Sequence, residues 1–124
     1  LPYKLRYRDK DPGDFEKLLG EYLDLFELEI DLDLRPAYLK PSVLKLMCYI
    51  RSLLMRPKVL LIDNPYYLLN RFERKNLFRV LRILKDLYPI ILASTDEDFL
   101  PPFASQLLKW NQNTKIFEHR SSIT

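Results

Sequence analysis

Arg56-Pro57-Lys58-Val59-Leu60-Leu61-Ile62-Asp63-Asn64-Pro65 is the stretch on which the fold turns. Arg56 and Pro57 stop a preceding helix, because a residue before proline is pushed out of the helical region. Lys58 to Ile62 then forms a short apolar run that ends on a carboxylate. Such a run, unbroken by polar alternation, predicts an interior strand of a parallel sheet. Downstream, Asn70 stands three residues before Glu73, the spacing of a capping box, and opens a helix to about Leu87. The core face of that helix is Leu77, Val80, Leu81, Leu84 and Tyr88. After Pro89 comes a second buried run, Ile90 to Ala93. Strand, helix and strand at this spacing predict a right-handed crossover between parallel strands.

Upstream of the deciding stretch, Pro41 suits the first turn of a helix, and the segment onward to Met55 is apolar nearly all round. That helix should be buried, with Cys48 as one of its core residues. Asp11-Pro12-Gly13-Asp14 reads as a turn and an N-cap to a first helix, about Asp14 to Glu27, with Phe15, Leu18, Leu19, Tyr22, Leu23 and Phe26 on one face. From Glu27 to Asp33 acids alternate with Leu28, Ile30 and Leu32, a connection with apolar anchors and solvated carboxylates. Pro101 and Pro102 break the chain. Gln106 to Trp110 and Thr114 to Glu118 then read as an antiparallel pair around Asn111-Gln112-Asn113. The expected organisation is a helical segment over 1–40 and an α/β half over 41–124, with no internal repeat.

Composition narrows the chemistry. The chain has 124 residues, 48% of them hydrophobic, enough for one globular domain. Its only glycines are Gly13 and Gly20, so it holds no glycine-rich phosphate loop; backbone cannot approach phosphate closely past a row of Cβ atoms. His119 is the single histidine, which leaves no His-based triad and no zinc cluster. Cys48 is the single cysteine and has no internal disulfide partner, which points to a reducing compartment. Twenty Lys and Arg against seventeen Asp and Glu give +3, too small a surplus to indicate nucleic acid by itself. Lys45 and Arg51 interrupt the longest apolar candidate, Val43 to Met55, well below the roughly 18 residues of a membrane span. The sequence starts Leu1-Pro2-Tyr3 without a methionine, which suggests a piece of a longer protein.

Ligands of open α/β sheets collect beyond the carboxyl ends of the parallel strands. Here those ends carry Asp63 and Asn64 on one strand and Ser94, Thr95 and Asp96 on the next. Four hydrophobics followed by Asp is the Walker B arrangement, in which a carboxylate orients Mg²⁺ and its waters beside a nucleotide.

In order and spacing, Leu39 to Asp96 resembles the back half of an ABC-type ATPase. Leu39-Lys40-Pro41-Ser42-Val43 falls at that family's LSGGQ signature, Arg51 lies in the signature helix, and Val59 to Asp63 falls at the Walker B strand. Ile91-Leu92-Ala93-Ser94-Thr95-Asp96 falls at the switch strand and H-loop, the terminal hairpin at the last core strands, and Leu1 to Tyr7 just after the Q-loop. The resemblance implies a partial P-loop NTPase core of α/β class with a mainly helical N-terminal subdomain.

It also implies a series of losses. Asn64 stands where the family has the Glu that polarises the attacking water, and an amide cannot take its proton. Thr95 stands at the histidine that contacts the γ-phosphate. Lys40 replaces Ser and Pro41 replaces Gly in the signature, removing a backbone N–H, though Lys40 and Ser42 still offer a charge and a hydroxyl to an anion. Asp63 would remain as the Mg²⁺-side carboxylate. Asn70 takes the D-loop Asp position and reads better as an N-cap; Thr95 and Asp96 read as a helix cap.

The implied protein is a degenerate ATP-binding subunit or fragment of an ABC transporter that binds ATP and Mg²⁺ weakly in this chain alone and hydrolyses slowly or not at all. Its implied partners are a second ABC ATPase subunit or a missing N-terminal half, and a membrane permease subunit; its implied place is the cytoplasm, peripheral to the inner or plasma membrane. The alternatives are a working ATPase whose phosphate loop lies in a missing upstream segment, or an ABC-like scaffold associated with nucleic acid. Arg71, Arg74, Lys75, Arg79, Arg82 and Lys85 form a basic stripe that serves the last reading, but a solvated helix face explains it equally well, and nucleic acid is not the expected partner. Tyr66, Tyr67, Tyr3, Tyr7, Phe15, Tyr22 and Phe26 are candidates for permease anchors, most of them expected in the core. A strand lacking its phosphate-loop neighbour should leave an apolar edge.

Overall fold

Proline costs a helix nothing in its first turn, where the N–H it lacks would have no partner. In the computed structural model, which describes residues 12–96 and 102–120, Pro12 and Pro41 both lead helices: α1 is Pro12–Leu25 and α2 is Pro41–Leu54. A 3₁₀ turn, Pro36–Tyr38, lies between them. Then follow strand β1, Leu60–Asp63, helix α3, Arg71–Leu84, strand β2, Ile90–Ala93, and strands β3, Leu107–Asn111, and β4, Ile116–Arg120. Leu1 to Tyr7 and Pro101, with the roles expected of them, lie outside the described residues.

The helix ends have local causes. After α1, Glu27 adopts a left-handed backbone (φ 53°), while the Glu27 N–H donates to Asp24 O and the Leu28 N–H to Leu23 O. This is a Schellman stop, formed without glycine. Arg56, also left-handed at φ 50°, ends α2 with its N–H on Leu53 O. At the start of α3, Asn70 Oδ1 accepts from the Glu73 N–H at 2.8 Å and Glu73 Oε1 from the Asn70 N–H at 3.1 Å, so the expected capping box is formed.

β1 and β2 pair in parallel, Leu60 opposite Ile90 through Asp63 opposite Ala93. β3 and β4 pair antiparallel, Leu107 opposite Arg120 through Asn111 opposite Ile116. These are two separate two-stranded sheets. One apolar cluster joins Leu46, Ile50, Leu53 and Leu54 of α2, Leu77, Val80, Leu81 and Leu84 of α3, and Leu60 and Ile62 of β1, with the apolar face of α1 packed against it. The faces expected for α1 and α3 are the faces that pack.

Several expectations are corrected. β1 is not covered on both sides: Leu60 and Ile62 are buried, but Leu61 is 73% exposed, and on β2 Ile91 is 62% exposed. The crossover through α3 covers one face, and no other described element covers the second. Nor is α2 buried all round, since Leu44, Cys48, Arg51 and Ser52 are exposed. Cys48 is therefore a surface thiol, half a turn round the helix from the inward-facing Leu46 and Ile50. Leu32, expected as an anchor, is exposed, whereas Leu28 packs against the core. α3 ends at Leu84, short of the expected Leu87, where the Asp86 and Leu87 N–H groups turn to carbonyls three residues back, Ile83 O and Leu84 O, and tighten the last turn. Among the described residues no helix is long and apolar enough to cross a membrane.

Candidate functional site

Parallel pairing sends the carboxyl ends of β1 and β2 out at the same edge. Asp63 is opposite Ala93, and the Asn64 N–H donates to Ala93 O at 2.8 Å, which carries the ladder one residue past the strand. Asp63-Asn64 and Ser94-Thr95-Asp96 therefore leave side by side. Asp63, Asn64 and Thr95 are exposed. Ser94 Oγ accepts from the Asp96 N–H and donates to Asp96 O, both at 3.1 Å, holding Thr95 at the tip of a tight serine turn.

The turn after Asp63 is strained and heavily anchored. Asn64 (φ 44°) and Leu68 (φ 69°) are both left-handed; Asn tolerates this region, but Leu pays a Cβ clash there, of order 1–3 kcal/mol. Pro65, Tyr66 and Leu69 are buried between and after them. The Tyr67 N–H donates to Asn64 O and the Leu69 N–H to Tyr66 O, each at 3.1 Å. From α2, Tyr49 OH donates to Pro65 O at 3.3 Å, and Lys45 Nζ donates to Asn64 O at 2.7 Å and Tyr67 O at 2.8 Å. Burial pushes the Lys45 ammonium below its ordinary pKa, and the Asp63 carboxylate opposes that shift. Burial likewise pushes the phenols of Tyr49 and Tyr66 up to about 12.

Lys40 is the N-cap of α2 and makes no side-chain cap bond; it is exposed, and Ser42 is half-buried. Pro41 has no N–H and the Leu44 N–H closes onto Lys40 O at 2.9 Å, so Ser42 and Val43 hold the first-turn backbone donors of this helix. Ser42 precedes Lys45 by one helical turn. The structure thus brings Asp63, Asn64 and Thr95 to one edge, and links α2 to that edge through Lys45. Lys45 escaped the sequence reading as a site residue. Its signal was a single cation inside the apolar run from Val43 to Ile50.

The basic stripe on α3 is half occupied by internal contacts. Arg74 Nε donates to Leu69 O at 2.9 Å, and Arg79 Nη2 donates to Leu25 O at 2.6 Å and lies 3.7 Å from Glu27 Oε1. Asn76 Nδ2 donates to Phe26 O at 2.9 Å, and Lys85 Nζ meets Asp86 Oδ1 at 2.8 Å. Within the stripe Arg79, with Asn76 beside it, ties the helix to the end of α1. No group of three or more metal-ligating side chains occurs among the described residues.

No family model matches the chain. It is 27% identical over 114 residues to the sulfate/thiosulfate import ATP-binding protein CysA of Nephroselmis olivacea, a match covering 90% of this chain and 33% of that protein. Against the protein of the same name from Acinetobacter baylyi it is 31% identical over 113 residues, 88% of this chain and 32% of that one. Its structure resembles the ATP-binding cassette MJ0796, solved as a dimer in a post-hydrolysis state bound to ADP and Pi, with TM-score 0.72 and 22% identity over 87% of this chain and 48% of that chain. The chain has the fold of part of an ABC-type ATPase. A second cassette, cbiO1 from Clostridium perfringens, part of the ABC transporter complex cbiONQ, matches with TM-score 0.66 and 26% identity over 81% of this chain and 41% of that one. The α/β class and partial P-loop NTPase core expected from the sequence are those of these cassettes. The chain spans about a third of the length of the curated relatives it matches.

Proposed function

We propose that this chain is a degenerate ATP-binding subunit, or part of one, of an ABC transporter, in which the nucleotide end of the cassette persists without its hydrolytic groups. The observation that carries the reading is the shared edge of β1 and β2, where exposed Asp63 is followed by an amide, Asn64, and flanked by a hydroxyl, Thr95. Mg²⁺ bound there supplies charge neutralisation at phosphate oxygens. The exposed Asp63 carboxylate suits that ion's preference for one or two carboxylates with retained waters. Asn64 cannot act as a general base, and losing a positioned base removes on the order of 10² to 10⁴ in rate. Thr95 brings no cation to a phosphate. Lys40 and Ser42 provide an ammonium and a hydroxyl at the α2 N-terminus, where an anion is favoured, but Pro41 withholds one backbone donor.

The open face of the β1–β2 pair supports the partner reading. Leu61 and Ile91 are exposed apolar side chains on a parallel pair, and parallel sheets are covered on both faces. The missing cover is a second ABC ATPase chain or the N-terminal half of this cassette. A permease subunit would place the assembly at the cytoplasmic side of the inner or plasma membrane.

ATP turnover of the intact protein, assembled with the chain that carries its phosphate loop, tests the reading. Wild type should turn over about 10²-fold or more below an ordinary cassette, and Asn64→Glu should raise the rate. Ordinary turnover by wild type, unchanged in Asn64→Ala, would overturn it.

A further inference from the structure

Lys45 stands in the second turn of α2 among apolar neighbours, Leu44, Leu46 and Met47. An ammonium carries three donors and no acceptor. Two of them go to a single turn on another element, to Asn64 O at 2.7 Å and Tyr67 O at 2.8 Å. The same nitrogen lies 5.6 Å from the centre of the Tyr67 ring, within the range of a cation–π contact. That turn is the one that leaves Asp63, and it holds the two left-handed residues Asn64 and Leu68. Such conformations persist only where the surroundings over-determine them. A lysine on a solvated helix face would instead leave both carbonyls to water.

We propose that Lys45 is a positioning residue: its ammonium fixes the path of residues 64–68 against α2, and so sets where the Asp63 carboxylate and the Asn64 amide stand relative to the Ser42 end of that helix. Its consequence for nucleotide rests on the reading above, but the clamp itself does not. Charge and donor number, rather than the aliphatic stem, carry the effect. Lysine can meet it because its ammonium has three donors on a flexible stem, enough for two carbonyls of one turn.

Nuclear magnetic resonance on the whole chain tests the assignment. In wild type, the Lys45 Nζ resonance should show couplings across hydrogen bonds to the Asn64 and Tyr67 carbonyl carbons. Their absence overturns the proposal without any variant having to fold. Lys45→Met should shift the amides of Asn64 through Leu69 while leaving the middle of α3 in place, and Lys45→Arg should recover most of that shift. Unmoved amides in Lys45→Met overturn it, and so does a shift that Lys45→Arg does not recover, which assigns the effect to packing. Mn²⁺ added to the same sample reads the metal side: broadening near Asp63 that Asp63→Asn abolishes and Lys45→Met reduces several-fold is the expected result. Broadening that Asp63→Asn leaves intact overturns the metal reading of Asp63, while the Nζ and amide signals still decide Lys45.

Discussion

On one face of the β1–β2 pair, Leu60 and Ile62 are buried in a cluster with Ile50, Leu77 and Val80; on the other, Leu61 and Ile91 stay largely exposed. The two sets come from the same two short runs and differ little in chemistry. What separates them is the cover: the crossover helix α3 and the preceding α2 supply one layer, and no described element supplies the other. Each Leu or Ile left in water forgoes about 1.5–3 kcal/mol of burial. An apolar run therefore records how many layers a strand is built to carry, and a chain can hold that record while supplying only one of them.

The largest effect should come from cutting into the covered face. Ile62→Ala should lower stability by about 2–5 kcal/mol in urea denaturation, whereas Leu61→Ala in this chain should stay within about 0.5 kcal/mol. Equal losses would break the comparison. It would be sharpened if Leu61→Ala became as costly as Ile62→Ala once a covering chain is bound. Asn70→Ala removes the capping box of the helix that forms the covered side and should cost about 1 kcal/mol in the same measurement.

High pH reaches the covered side through Tyr49 and Tyr66. Burial holds their phenols protonated up to about 12, against an ordinary value of 10.0. Between those values the unfolded chain binds fewer protons than the folded one, so stability should fall as pH rises from 10 toward 12. Tyrosinate absorbance followed beside the unfolding midpoint checks this, and Tyr66→Phe should flatten the fall. The smallest effect is expected for Leu61→Ser, which should leave the stability read from urea denaturation within about 0.5 kcal/mol of wild type while lowering binding of an apolar dye to the open face.

Much of the fold is legible residue by residue. The 3.6-residue spacing of Leu77, Val80, Leu81 and Leu84 marks the buried side of α3; Asn70 and Glu73 mark its start; the runs before Asp63 and Ser94 mark parallel strands whose ends share an edge. Leu61 and Cys48 are exposed where their runs predict burial, because apolarity states a preference for burial and not the presence of a neighbour. Lys45 was missed because its partners are two backbone carbonyls, nineteen and twenty-two residues away, and every residue has a carbonyl. The same holds for Arg79 and Asn76, whose acceptors lie at the end of α1.

By itself, then, the sequence determined what is local: periodicity, caps, turn residues, and the order of Asp63, Asn64 and Thr95 along two strands, since each depends on backbone geometry within a few residues. Only the tertiary structure decided which apolar face is covered, which cations are tied to carbonyls, and that Asn64 and Leu68 sit in left-handed backbone. Those outcomes depend on which distant groups fill the space beside a residue, a property that no local pattern encodes.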